Sequence, residues 1–396
     1  MPHELGSGSG TTRHGHPMHA SPNEAASPPL SPSRLDLKLD SATARAINES
    51  ETAIRSLSRL SAEHPHGRSF ADACLHIESI ANIKMTGKQA GIRQLFRKPF
   101  EGSAASRDKE PRLETLRNAD ASLAALRLGE SPFVTSETFF EIHRQLLTGT
   151  TRDLHKGLLR AEKDPVGGSR YHVFGAPYHV AEPENIPALL SGLAQFCDDR
   201  TMPAIAQAAL AHVQFITIHP FERANGKTAR AIIPLVLRRR GLIEDIVPPL
   251  SLAFSISSHD YQRGIIATMA LLQQDRPQAE LLNPWLLYFS QCCTRAVKEA
   301  EALWTRYCDL KAQWLAKLNA RPDSAASLVV NSVLGMPVFT VASAAAYIDR
   351  SFKRVAAATD DLMEAGVIRQ ITPGKRNRVF ECDAVLDLYE HIPGFQ

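Results

Sequence analysis

The sequence predicts a mainly α-helical chain that carries one lone β-hairpin and ends in a small α+β unit. Three observations predict it. Apolar residues recur at helical spacing from Leu35 to Leu318; Tyr171–Val180 alternates β-prone residues about a Gly-Ala-Pro turn; and beyond Arg321 two short helical patterns are followed by two short β-prone runs. At 396 residues with 44% hydrophobic side chains, the chain is too long for one ordinary domain and apolar enough for a sizeable core with a smaller one appended.

Taken in order, residues 1–34 are rich in Gly, Ser, Pro and His and cannot bury enough surface to offset the entropy of ordering, so a disordered tail is expected. Residues 35–130 form an N-terminal helical region, with Ile47, Ile54, Leu57 and Leu60 spaced as on one helix face and the pattern continuing through Phe70–Ile83 and Leu113–Leu128. Residues 131–320 carry helices at Thr135–Leu147, Ile186–Phe196, Ala204–Thr217, Asn225–Arg239, Tyr261–Leu272 and Pro284–Leu318. The hairpin at Tyr171–Val180 interrupts them and must lean on a neighbour, since isolated hairpins are marginal in water.

After the Arg321-Pro-Asp-Ser linker, residues 321–396 read as helices at Val341–Ile348 and Phe352–Ala365 with strands at Val367–Ile371 and Arg378–Glu381, the order of a winged helix-turn-helix. Lys353, Arg354, Lys375, Arg376 and Arg378 would gather on its second helix and wing as a phosphate-contacting set, which points to DNA; docking of a protein or formation of a homodimer is the alternative use of such a unit.

The composition excludes other classes. No run of eighteen apolar residues and no apolar leader occurs, so neither a membrane partner nor export is expected and the protein is read as cytoplasmic. Six scattered cysteines without C-x-x-C spacing are expected as reduced thiols, and a net charge of +3 does not by itself announce a nucleic-acid binder.

The chemistry concentrates in His219-Pro-Phe-Glu-Arg-Ala-Asn-Gly-Lys-Thr-Ala-Arg230. An apolar helix runs into His219-Pro220 and a second begins near Asn225, so the amides around Asn225–Lys227 lack helical partners and form a phosphate seat. Lys227 and Arg230 lie in the first turn, where cations oppose the helix dipole and so point to an anionic ligand. Gly226-Lys227-Thr228 copies the end of a Walker A loop, but Phe221 stands where that loop needs its first glycine, so the reading fails. Spacing alone leaves one alternative open: a buried helix-loop-helix with His219 satisfied in the core and both cations solvated.

These residues resemble the Fic family motif, HPFx(D/E)GNGRxxR, at His219, Pro220, Phe221, Asn225, Gly226 and Arg230; the similarity extends over roughly Leu35–Leu318. The resemblance implies transfer of AMP from ATP to a Ser, Thr or Tyr hydroxyl of a protein substrate. His219 would be the general base, Phe221 would anchor the loop in the core, and Ala224, Asn225 and Gly226 would line the phosphates with Lys227 and Arg230 neutralising their charge. Val173, Phe174 and Gly175 would belong to a flap that docks the target segment by strand addition. Tyr261 sits where related chains place an aromatic near adenine, a core tyrosine being the alternative.

Departures from the pattern alter these expectations. Ala224 replaces the first glycine, and Lys227 replaces arginine and loses its two-pronged geometry. Arg223 stands where the family carries an acid that holds Mg2+, so magnesium is in doubt; Glu222 is adjacent but is expected to point elsewhere. Gly226, where the phosphotransferase branch has lysine, favours AMP transfer. Cys74-Leu-His-Ile-Glu78-Ser79 resembles the family's inhibitory (S/T)xxxE(G/N) helix, making Glu78 the candidate brake on Arg230, with a solvated glutamate as the alternative. The competing function, kept open by Arg223, is a DNA-binding regulator whose Fic domain has decayed into a nucleotide-sensing module.

Overall fold

The computed structural model describes residues 36–88, 91–97, 109–162, 180–274, 279–374 and 376–395. The expected tail, the flap residues Val173, Phe174 and Gly175, and Lys375 lie outside them. Within the described residues the fold is mainly α, as the helical spacing predicts, with one three-stranded sheet near the C-terminus.

The centre is α7 (Ala204–Ile218), an alanine-rich helix on which every residue but Ile216 is buried. Small side chains on all sides let neighbours approach closely, which is why this segment shows no polar face. It continues through the motif loop into α8 (Asn225–Arg239), which packs back against it and against α4 (Lys109–Gly129). α5 (Ser136–Leu147) and α6 (Ile186–Asp198) close one side. On the other, α1 (Ser41–Glu63) runs along α11 (Asn283–Leu318), with α9 (Leu250–Ile256) and α10 (Ser258–Leu272) filling between α11 and α7. The start of α1 is fixed twice: Asp40 accepts from the Thr43 amide at 2.7 Å as an N-cap, and the Asn283 side chain brackets it by accepting from the Asp40 amide and donating to the Lys38 carbonyl. A break at His64-Pro65-His66 separates α1 from α2 (Gly67–Lys84), which lies between α4 and α9.

The C-terminal unit comprises α12 (Ala325–Ser332), β1 (Val338–Thr340), α13 (Val341–Tyr347), α14 (Phe352–Glu364), β2 (Arg369–Gln370), β3 (Val379–Glu381) and α15 (Asp383–Glu390). The sheet order is β1-β3-β2, antiparallel throughout, with Phe339 opposite Phe380. The helix-helix-strand-strand order expected from sequence is present as α13, α14, β2 and β3, whereas α12, β1 and α15 were not anticipated. Of the basic set, Lys353 and Arg354 are exposed at the start of α14, whereas Arg378 is turned inward to Asp360, Gln370 and the Phe380 ring and is not a free phosphate contact.

This unit is fastened to the helical body. One apolar cluster runs from Ile47 to Ile392, and the Ser69 hydroxyl donates to the Ser332 carbonyl while accepting from the Gly335 amide. The short helix α3 (Ile92–Arg97) supplies ionic fasteners: Arg93 reaches Asp383, Asp387 and Glu390, and Arg97 reaches Glu381, which is fully buried and also engaged by Arg369. No helix among the described residues is long and apolar enough to cross a membrane.

Two cations on one buried carboxylate make their removal non-additive. Arg97→Ala or Arg369→Ala alone should cost about 1 kcal/mol, since the other guanidinium still neutralises Glu381; the double variant should cost about 3–5 kcal/mol by leaving that charge buried and unpaired, as read from urea unfolding.

Candidate active site

The loop between α7 and α8 is tight because of its backbone. His219 caps α7 in the left-handed region at φ 49°, its amide donating to the Phe215 carbonyl, and Ala224 stands just before α8 at φ 60°. A Cβ in that region is strained, so glycine is the natural occupant of Ala224's position and the surroundings must hold the turn. Asn225 does much of this. Its side chain accepts from the Phe221 amide at 2.9 Å and donates to the Phe221 carbonyl at 2.6 Å, stitching the loop shut.

Two further residues, invisible to the sequence reading, complete the support. His143 of α5 stacks on the Phe221 ring at 3.8 Å and 7°. Its Nδ1 accepts from the Gly157 amide, so Nε2 carries the proton and donates to the Arg223 carbonyl at 3.0 Å; burial holds its pKa down to about 4, keeping the ring neutral. Arg160, itself buried, donates to the carbonyls of His219 at 2.7 Å, Ile218, Ala181 and Glu162, while its own amide donates to Pro220. The unsatisfied end of α7 thereby receives charge-assisted donors.

His219 is half-buried and lines a cavity of about 80 Å³ with Gly226 and Arg230 of α8, Tyr261 of α10 and Met85 at the end of α2. The first-turn amides of α8 begin at this wall. Tyr261 has a second neighbour, the buried His212, whose Nε2 lies 2.8 Å from the Tyr261 hydroxyl and whose pKa burial drives down to about 3. Cavities that hold ligands of nucleotide size run to several hundred Å³, so this one is smaller than a nucleotide needs, and Met85, which follows α2, forms part of its wall.

Two expectations are corrected here. Glu78 does not pair with Arg230: among the described residues its carboxylate is taken by the Ser251 amide at 2.7 Å and the Ser251 hydroxyl, and it is buried, which also removes the solvated alternative. Arg230 instead grips Asn82, one turn further along α2, whose Oδ1 accepts from Nε at 3.0 Å and Nη2 at 2.7 Å. Lys227 is not turned to the cavity but is buried against Glu114 at 2.9 Å, and Lys88 holds the other oxygen of that carboxylate at 2.6 Å. Between two ammonium groups, Glu114 is held below the usual carboxylate range despite its burial. Cations in the first turn of α8 do require an anion, but for Lys227 the anion is internal. Glu222 points away, its carboxylate on His155 Nδ1 at 2.6 Å, and Arg223 is exposed. Among the described residues no carboxylate lines the cavity, so these residues do not fit a magnesium ion there.

Burial pushes the Glu78 carboxyl up to about 7, against the two hydrogen bonds from Ser251 and the field of Arg230. An acid whose pKa is higher folded than unfolded binds its proton more tightly in the native state, so its contribution is fully favourable below the unfolded value and is lost as pH rises toward 7. The melting temperature of Glu78→Gln relative to the parent chain should therefore rise between pH 4.5 and 7, by the equivalent of at most about 3 kcal/mol; thermal unfolding across that window reads it.

Residues 133–237, which span α5 to α8, match the Fic/DOC family model. Among curated relatives, protein adenylyltransferase Fic of Nematostella vectensis is 25% identical over 181 residues, covering 45% of this chain and 36% of that protein. Protein adenylyltransferase fic-1 of Caenorhabditis elegans is 28% identical over 131 residues, 32% of this chain and 25% of that one. The chain thus spans about a third or less of the length of these relatives. Two solved structures share the fold: a Fic domain containing signaling protein from Bacteroides thetaiotaomicron, with TM-score 0.51 and 19% identity over 64% of this chain and 95% of that one, and a Fic family protein from Desulfovibrio desulfuricans, with TM-score 0.53 and 16% identity over 90% and 98%. Residues 133–237, which include the His219–Arg230 loop, thus carry a Fic/DOC family domain.

Proposed function

We propose that the chain transfers AMP from ATP to a Ser, Thr or Tyr hydroxyl of another protein. The observation that carries this reading is the juxtaposition, in one cavity wall, of the half-buried His219 imidazole with Gly226 and Arg230 at the start of α8. Helix-start amides seat a phosphate chain, and an imidazole beside them accepts the proton of an attacking hydroxyl. That oxygen bonds to the α-phosphorus, the bond to the β-phosphate oxygen breaks, and pyrophosphate leaves. Arg230, once released from Asn82, neutralises the outer phosphates. The names of the relatives support the choice of AMP.

Arg160, His143 and Asn225 act as positioning residues, because they fix the loop that carries His219 and leave it little freedom to drift. Arg223 and Arg230 supply the positive charge, so transfer should survive chelation. α2 is the brake. Asn82 occupies Arg230 and Met85 narrows the cavity, while Glu78 anchors the same helix to α9 through Ser251. The rival reading, a DNA-binding regulator with a decayed domain, is favoured by the exposure of Arg223 and of Lys353 and Arg354.

One assay separates them. With labelled ATP, the parent chain should label itself or an added protein in the presence of a chelator, His219→Ala should reduce labelling at least 100-fold, and Asn82→Ala should raise it severalfold. No labelling in any variant, together with sequence-selective retention of DNA, would establish the rival.

A further inference from the structure

A second cavity, of about 200 Å³, lies on the far side of α2, between α2, α3, α4 and the strap Gly335–Val338 that leads into β1. His76 and Ile80 enter it from α2, two positions before Glu78 and Asn82 respectively. At 100° per residue these pairs point to opposite faces, so α2 shows one face to this pocket and the other to Ser251 and Arg230. The walls are mostly apolar, with Phe96, Leu116 and Met336 contributing, and Leu116 is half-exposed at the mouth.

Two polar groups converge on this apolar space without a partner. The Nε of Arg112 is shielded from solvent and unbonded, and among the described residues the guanidinium makes no hydrogen bond or ion pair. The Nδ1 of His76 is likewise shielded and unbonded, its ring standing edge-on to Phe96 at 5.1 Å. Burial works against the charged form of both. The arginines of the adjoining helix show the ordinary solution, since Arg93 and Arg97 are met by carboxylates. Buried donors left unmet cost free energy and mark a place where a partner belongs.

We propose that this pocket binds a small aromatic carboxylate, its ring among Ile80, Phe96, Leu116 and Met336 and its carboxylate on Arg112 and His76. A carboxylate matches a guanidinium edge with two parallel hydrogen bonds and can take a third from the imidazole. The size agrees: a dry cavity of about 150 Å³ holds one benzene ring, so this one has room for a ring and its head group and is too small for a nucleotide. Inorganic phosphate would satisfy the cation and leave the apolar walls bare, and a neutral aromatic would do the reverse.

Calorimetric titration of the full chain with benzoate tests this. Saturable binding at one site per chain is expected, with acetate, inorganic phosphate and benzyl alcohol each at least about tenfold weaker. Arg112→Gln should keep the parent melting temperature, having no partner to lose, and weaken benzoate at least about tenfold; Ile80→Phe, which fills the apolar end, should abolish binding. If Arg112→Gln melts early, Arg112→Lys serves the same comparison, keeping the charge and losing the paired geometry. Absence of saturable benzoate binding to the parent chain, or equal binding by the parent, the Arg112 variant and Ile80→Phe, overturns the proposal.

Discussion

The Asn225 side chain closing on the backbone of Phe221 is the contact on which the site depends. The loop between α7 and α8 contains two non-glycine residues in the left-handed region, His219 and Ala224, and neither would hold that conformation unaided. Asn225 ties the backbone of Phe221 to the start of α8, the Phe221 ring is buried beneath the loop, and His143 and Arg160 satisfy the carbonyls of Arg223 and His219. Remove that stitch and the imidazole at residue 219 loses its fixed relation to the first turn of α8.

The fold and the identity of the loop were legible because both are written locally. A largely apolar helix, a His-Pro stop and an Asn-Gly start fall within thirty positions, and their order alone implies two helices hinged at a polar turn. The supporting residues were not legible, since each comes from far away in the chain. Arg160 meets His219 across 59 positions, His143 meets Arg223 across 80, Lys227 meets Glu114 across 113 and Arg230 meets Asn82 across 148. Asn82 left a faint signal, for it stands four residues after Glu78 and so on the same face of α2. Lys227 misled for an instructive reason: the dipole argument correctly required an anion near the start of α8, and nothing local told an internal carboxylate from a ligand's phosphate.

α2 emerges as the element that joins the parts. Its middle is tied to α9 by Glu78 and Ser251, its last turn holds Arg230 beside the cavity, its outer face lines the second pocket, and its first two turns carry Ser69 and Asp72, which bind the C-terminal unit through Ser332, Gly335 and Tyr347. A shift of this one helix would change the room beside His219 and the seating of the C-terminal unit together. The buried Glu78 makes the helix sensitive to protonation near neutrality, since its ionised form is the one that burial penalises.

The most direct test of the account is where a triphosphate sits. A crystal structure of Asn82→Ala with a non-hydrolysable ATP analogue should show the phosphates on the first-turn amides of α8, Arg230 turned onto the outer phosphates, and the α-phosphate facing His219 with space for an incoming hydroxyl. A triphosphate bound away from the start of α8, or one whose α-phosphate lies beyond the reach of a hydroxyl held by His219, would contradict it.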